Sequence, residues 1–445
     1  MAREEGNRKG STAIVTVISG MVALVLPRPP NEWDGFRNMY ARVLNAHPQK
    51  CIYTQVELPH VRNRCWRALL SSLTNFDAPR YEGHGIVMNV GLVGCGRIAE
   101  AHMQAWRRIR SAHISAVCDT VEDRAKQMAE RWRVPTCYTD LANMIQREDL
   151  QFLSICTPPL AHIDQARMAI ESGVNAVVEK PLAMSAKDVE EIAEICQRSK
   201  ARLTVISNLL FTSAVARARR ILASLHDEPI SLDLTFLKPA ASDYMAGDPS
   251  HWIHRLPGGI FGEMLFHPIY LISFFLGELS VRGIYLDKFG TQDWLPHDEL
   301  TVFLGSARKR ATIRTFYNSL RYSIFLDLCG QKYALKIDIG TNDVFVIRDS
   351  KAGPTAKAVD CTRQAYAVFE NIRGAVLQGI SYHLGIKHSP IELNIRSFVE
   401  SVAKKKPSVI TLEDAYKMTL IQEEITTLID KAGAPNGGVS ASPHR

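Results

Sequence analysis

Residues 89–102 read NVGLVGCGRIAEAH, a short apolar run from Val90 to Val93 that meets Gly94, Gly96 and Ala99 in the spacing GxGxxA. A strand that turns at once into a helix needs a tight first glycine, a bare second one where a pyrophosphate approaches, and a small third residue where helix and strand touch. The amides of the first helical turn then point at the anion. Gly94, Gly96, Arg97 and Ile98 are therefore the expected dinucleotide contacts. Such a fold usually opens on this strand, yet 87 residues precede Met88.

Working outward from the glycine turn, apolar strands at 90–93, 113–118, 152–156 and 176–179 alternate with amphipathic helices at 98–109, 121–132, 141–145, 160–172 and 186–198. That alternation predicts a Rossmann doubly wound parallel sheet, which ends near Leu203 to Ile206. After a helix over 214–225 the pattern changes to strands at 230–236, 281–286, 300–304, 311–317, 322–328, 333–337 and 344–347. The last six follow one another through short connections, so an open, mainly antiparallel β-sheet is expected, covered by helices at 391–403 and 412–429. The domains so predicted are a nucleotide-binding one over 88–207, an α+β one for substrate and oligomerisation over 208–432, and a disordered tail over 433–445.

Residues 1–87 read differently. An apolar run from Ala13 to Leu26 is followed by the breaker ProArgProPro and a segment with no sustained period. The run is shorter than the ~20 residues a membrane span needs, and no small-residue cleavage site follows it. It fits a signal or anchor, an element of an extra subdomain, or an upstream extension outside the functional protein. The position of Met88 favours the last, or a poorly ordered appendage, and stable membrane insertion is not expected.

The 445 residues carry a net charge of +7, with 46% apolar and 22% charged side chains, as in an ordinary globular enzyme. Eleven of the cations and seven of the acids lie before Met88, and no basic face carries interleaved aromatics, which excludes a nucleic-acid partner. Nine cysteines without CxxC or metal-type spacing argue for reduced thiols, a cytoplasmic setting and no metal site.

Downstream features reinforce the glycine turn. Asp119 ends the second strand, where a carboxylate accepts the ribose hydroxyls and repels a 2′-phosphate, so NAD is expected rather than NADP. A turn or helix-capping role would also suit Asp119. Later strands end in Thr157, Pro158 and Pro159 with His162 close behind, and in Glu179, Lys180 and Pro181. With GxGxxA ahead of them, TPPLAH and EKP resemble the Gfo/Idh/MocA oxidoreductases over about 88–431. The resemblance implies that Thr157, Pro158, His162 and Glu179 border the nicotinamide and that Lys180 also reaches the substrate hydroxyl.

Oxidation of a secondary alcohol needs an acceptor for the hydroxyl proton and a cation beside the developing alkoxide. Glu263 and His267 are the only acid and imidazole in an apolar run that reaches Leu276, and a four-residue spacing puts them on one helical face. The resemblance makes His267 the proton acceptor and Glu263 its orienting acid, where the family usually has Asp. Pro268 disfavours helical geometry at His267. The family's next Asp is replaced by Tyr270, and the arginine of its NxRF segment by Leu210, after Asn208. Asn208 and Tyr270 are expected at the substrate. His251, Trp252, His254 and Arg255 could line its mouth.

The expected activity is hydride transfer between NAD and a secondary alcohol of a sugar, polyol or related hydroxy compound. A redox-assisted glycosidase and a noncatalytic NAD-sensing protein remain as alternatives. By family analogy the antiparallel sheet is a homo-oligomer surface.

Overall fold

The computed structural model describes residues 15–18, 21–24, 87–225, 227–348 and 388–433, with single residues between 361 and 374. Its first compact unit, 1–77, contains strands β1 (Val15–Ile18) and β2 (Met21–Leu24), paired antiparallel. Within the apolar run of the leader, the described residues 15–18 and 21–24 are two short strands, and no described helix is long and apolar enough to cross a membrane. The expected disordered tail and most of the leader lie outside the described residues.

In the second unit, β3 (Met88–Val93), β4 (Ala112–Cys118), β5 (Thr136–Tyr138), β6 (Phe152–Ile155), β7 (Asn175–Val178) and β8 (Leu203–Val205) form one sheet. Its order is β5-β4-β3-β6-β7-β8, with every pair parallel. The connecting helices are α1 (Arg97–Arg107), α2 (Glu122–Trp132), α3 (Leu141–Arg147), α4 (His162–Glu171) and α5 (Ala186–Arg198). Sheet and helices share continuous buried cores, and all four residues of β6 are buried, as a strand covered on both faces requires. Because β4 and β6 flank β3, the chain reverses its winding there and leaves a crevice at the carboxyl ends of the strands. Two three-residue strands, β5 and β8, extend the sheet beyond the strands expected from the pattern.

After α6 (Ser213–Leu225) come β9 (Ser231–Pro239), α7 (Ile260–Met264), α8 (Phe266–Leu276) and β10 (Ser280–Asp287). β11 (Glu299–Gly305), β12 (Arg310–Phe316), β13 (Asn318–Cys329), β14 (Tyr333–Asp338) and β15 (Asp343–Arg348) complete a sheet in the order β10-β11-β12-β9-β13-β14-β15. The sheet is mainly antiparallel, with one correction: β12 and β13 are not neighbours. Between them lies β9, parallel to β12 with Ile313 opposite Leu234. Leu232, Leu234 and Phe236 are buried on one face of β9, with Ile313 on adjacent β12 and Val302 on β11 beyond it, whereas Asp233, Phe303 and Arg314 emerge on the other.

The last helices reach back to the nucleotide-binding half. From α9 (Pro390–Ala403), Ile391, Ile395 and Phe398 join the core beneath α1, and Phe398 meets Phe152 edge-on with ring centroids 6.1 Å apart. α10 (Leu412–Gly433) packs on both α5 and α8.

Candidate active site

The carboxyl ends of β3, β4, β6 and β7 carry Gly94, Asp119, Thr157 and Lys180 to one edge of the parallel sheet. Gly94 has φ +88°, and a Cβ there would lie 2.7 Å from the Cys156 carbonyl carbon and 2.8 Å from Thr157 N, so the turn admits only glycine. At Gly96 a Cβ would meet nothing within 4 Å. Gly96 also caps α1 without a side-chain acceptor, which leaves the first-turn amides at Arg97 and Ile98 open toward that space. Ala99 is fully buried where helix meets sheet, and Ile98 is 38% exposed. A bare, uncapped helix start fits a dinucleotide pyrophosphate. NAD bound there would contribute a hydride acceptor.

Asp119 is buried, and its Oδ2 accepts from Cys95 N at 2.8 Å while Oδ1 accepts from Val121 N at 2.9 Å. The turn-stabilising role is therefore present. Each oxygen keeps a further lone pair, so acceptance from ribose hydroxyls is compatible with it.

Two of the expected cofactor residues face inward. His162 is fully buried, with Nε2 2.7 Å from Thr157 O and Nδ1 2.8 Å from Pro181 O, so it braces the two loops beside the crevice rather than lining it. Burial lowers its basicity. Glu179 turns into the core, where its Oε1 lies 2.8 Å from His102 Nε2. His102 Nδ1 in turn lies 2.7 Å from Ser154 Oγ, which also accepts from Trp106 Nε1 at 3.1 Å. Burial opposes charge on His102, but Cys156 and the Glu179 carboxylate push its pKa up to about 10. Successive side chains leave a strand on opposite sides, so an inward Glu179 sends Lys180 outward. Thr157 Oγ1 donates to Gln165 Oε1 at 2.7 Å, and Pro158 is exposed at the rim.

Lys180 crosses to the second half. Its Nζ is hydrogen-bonded to the Glu263 carboxylate and donates to the Glu263 carbonyl at 3.2 Å. Glu263 lies in α7 and His267 in the first turn of α8, where Pro268 lacks only an amide that the turn leaves unpaired. Both side chains are half-buried among fully buried neighbours, so the helix junction holds two polar groups in apolar surroundings.

Glu263 makes no hydrogen bond to His267 here, which corrects the expected orienting role. The partner is Tyr270, fully buried, with Oη 2.9 Å from His267 Nδ1. Tyr270 Oη also accepts from Leu209 N at 3.1 Å and donates to Asn208 Oδ1 at 3.3 Å. Tyr270 and Asn208 thus stand on the Nδ1 side of the imidazole. One phenolic proton directed to Asn208 leaves two acceptor positions on Oη, filled by Leu209 N–H and His267 Nδ1–H. The lone pair of the ring is then on Nε2.

The electrostatics are consistent with that tautomer. Burial, with the charges of Lys180 and Lys238, holds the His267 pKa at about 3 against the pull of Glu263. Burial would raise the Glu263 carboxyl, yet Lys180 and Lys238 bring it to about 2. Burial keeps Tyr270 protonated well past its ordinary range. The Phe236 ring stacks under His267 at 6.3 Å between centroids.

Sequence reasoning passed over Lys238, His102 and Tyr244. The Arg97 guanidinium lies 4.2 Å from the centre of the Tyr244 ring, which joins the glycine turn to the loop after β9. His251, His254 and Arg255 bond within their own loop, at Ile253 N, Asp248 O and Ser250 O.

Residues 88–207 match the family described as "Oxidoreductase family, NAD-binding Rossmann fold", Gfo/Idh/MocA. The myo-inositol 2-dehydrogenase of Thermotoga maritima is 23% identical over 349 residues, 75% of this chain and 93% of that protein. The D-apiose dehydrogenase of Paraburkholderia graminis is 30% identical over 151 residues, 34% of this chain but only 38% of the relative. Among solved structures, the WlbA dehydrogenase of Bordetella pertussis, in complex with NADH and UDP-GlcNAcA, aligns with a TM-score of 0.64 at 16% identity. That alignment covers 78% of this chain and 96% of that one, and shows the shared fold. With its glycine turn, its parallel sheet and this family match in the same residues, residues 88–207 form the NAD-binding Rossmann domain described for the Gfo/Idh/MocA oxidoreductases.

Proposed function

We propose that the protein is an NAD-dependent dehydrogenase acting on a CH–OH group of a sugar, polyol or related small hydroxy compound. The observation that carries this reading is the meeting of Lys180, from the cofactor strand β7, with Glu263 and His267 at the α7–α8 junction. Lys180 Nζ, fixed by Glu263, donates to the substrate hydroxyl and stabilises negative charge as its proton leaves. His267 Nε2 takes that proton, since a ring held neutral and anchored through Nδ1 offers Nε2 as a base. Hydride then leaves the carbinol carbon toward the bound dinucleotide.

Asp119 favours NAD over NADP, because its carboxylate occupies the position a 2′-phosphate would approach. The free cysteines Cys95, Cys118 and Cys156 near the glycine turn support a reducing, cytoplasmic setting. The outward face of the second sheet exposes Tyr285 and Phe303 and supports homo-oligomer formation through that sheet. The glycosidase and noncatalytic readings find no comparable support, since Tyr270 anchors the imidazole, to which Glu263 makes no hydrogen bond.

The test is NADH formation over a panel of sugars and polyols, with His267→Ala as control. Turnover lowered about 100-fold or more by the substitution, with NAD affinity retained, supports the base assignment. Equal turnover by the variant overturns it.

A further inference from the structure

On the buried face of β9 the order Leu232, Leu234, Phe236 ends in Lys238, an ammonium where the alternation calls for an apolar residue. Lys238 is 6% exposed. Its Nζ lies 3.3 Å from Asp243 Oδ2 and 5.5 Å from the centre of the Tyr317 ring. The other Asp243 oxygen, Oδ1, accepts from Met245 N and Ala246 N at 3.0 and 2.9 Å, so its own turn holds the carboxylate in place. Phe236, one inward position earlier, stacks under His267, and the charge of Lys238 depresses both Glu263 and His267. The ammonium therefore borders the proposed reaction site from the side of β9.

A cation buried merely to pin a turn is an expensive device, since its desolvation is repaid only by partners for its donors. An ammonium has three donors, and Asp243 and the Tyr317 face account for two directions. We propose that Lys238 is a second substrate-recognition group, donating to another hydroxyl of the molecule whose reacting carbinol lies between Lys180 and His267. The inference rests on the dehydrogenase reading and narrows its substrate class. Two ammonium groups face two carboxylates and a neutral imidazole, so the site has no net charge and suits a neutral polyhydroxylated compound. A sugar acid would bring a third carboxylate toward Glu263 and Asp243.

The test is calorimetric titration of the full-length protein, loaded with NADH, with myo-inositol, D-glucose and D-gluconate, together with NAD-dependent turnover of the same compounds. Lys238→Met should weaken binding of the neutral ligands about tenfold or more, the loss of a charge-assisted hydrogen bond, and raise KM in parallel with kcat nearly unchanged. NADH affinity should be unchanged, which also reports that the variant folds. Should Lys238→Met fail to fold, Lys238→Arg takes its place: the cation persists, donor geometry changes, and KM should move without kcat. Asp243→Asn should shift preference toward D-gluconate. Neutral-ligand affinity and KM equal to wild type in the folded Lys238 variant overturn the recognition role and leave the dehydrogenase reading standing. Wild-type binding that Lys238→Met abolishes, without turnover of any compound, supports the recognition role and overturns the dehydrogenase reading. A wild-type protein that neither binds nor oxidises any of the three overturns both.

Discussion

The Tyr270 hydroxyl stands 2.9 Å from His267 Nδ1, in the place behind the imidazole that an acid was expected to hold. An acid partner would carry its own charge and draw the ring toward imidazolium. A neutral phenol fixes the tautomer without that pull, and so suits a ring whose pKa is held at about 3. Tyr270→Phe keeps the shape and removes the anchor. Turnover should fall about 10- to 100-fold with NAD affinity unchanged. Nitrogen NMR of labelled imidazoles should show His267 shifting toward a tautomer mixture. A single unchanged tautomer with reduced turnover would assign the loss to something other than ring orientation.

Buried titrating groups make stability depend on pH in opposite senses. His267 is held at about 3 against an ordinary 6.5, so in that interval only the unfolded chain takes up its proton. Stability from this site is complete above 6.5 and is lost as pH falls toward 3. Glu263, at about 2 against 4.5, adds a loss that starts only below 4.5. His102, raised to about 10, keeps a proton the unfolded chain has released, so its contribution is complete below 6.5 and is lost as pH rises toward 10. In urea titrations, His267→Gln should flatten the change between pH 6.5 and 5, and His102→Gln the change between pH 7 and 9.5. An alkaline slope that survives His102→Gln would place the raised group elsewhere.

Most elements were legible because β3 and β6 are continuous apolar runs and α1, α2 and α5 are amphipathic at helical period. β5 and β8 escaped notice at three residues each, too short to show a period. The insertion of β9 between β12 and β13 was not legible, because alternation fixes which face of a strand is buried but not which strand lies beside it. The same limit applies to the site. Spacing put Glu263 and His267 on one helical face, whereas they stand in the successive helices α7 and α8, and each is partnered by another residue: Lys180 for the acid and Tyr270 for the imidazole. Lys238 was available to the alternation argument, since it completes the inward series begun at Leu232.

The two glycines of the turn should separate folding from cofactor binding. Alanine at Gly94 would sit at φ +88° and run into the backbone of Cys156 and Thr157, so Gly94→Ala should lower the melting temperature of the cofactor-free protein. Alanine at Gly96 meets no protein atom within 4 Å, and φ there is −81°, a conformation open to any residue. Gly96→Ala should therefore melt like wild type while its NAD dissociation constant rises about tenfold or more, because the methyl occupies the space offered to the pyrophosphate. Unchanged NAD affinity in a folded Gly96→Ala protein would mean that the cofactor passes the helix start at a greater distance.

Asp119 holds the amides of Cys95 and Val121, so its substitution acts on the glycine turn and on the ribose pocket together. Nucleotide selectivity separates the two effects. Loosening the turn weakens NAD and NADP alike, since both carry the same pyrophosphate. Loss of ribose recognition weakens NAD alone, and removing the negative charge favours the 2′-phosphate of NADP. Asp119→Ser should therefore raise the NAD dissociation constant about tenfold more than that of NADP, a selectivity change near one hydrogen bond to a charged group. Equal losses, measured by fluorescence titration with both reduced nucleotides, would confine Asp119 to bracing the turn after β3.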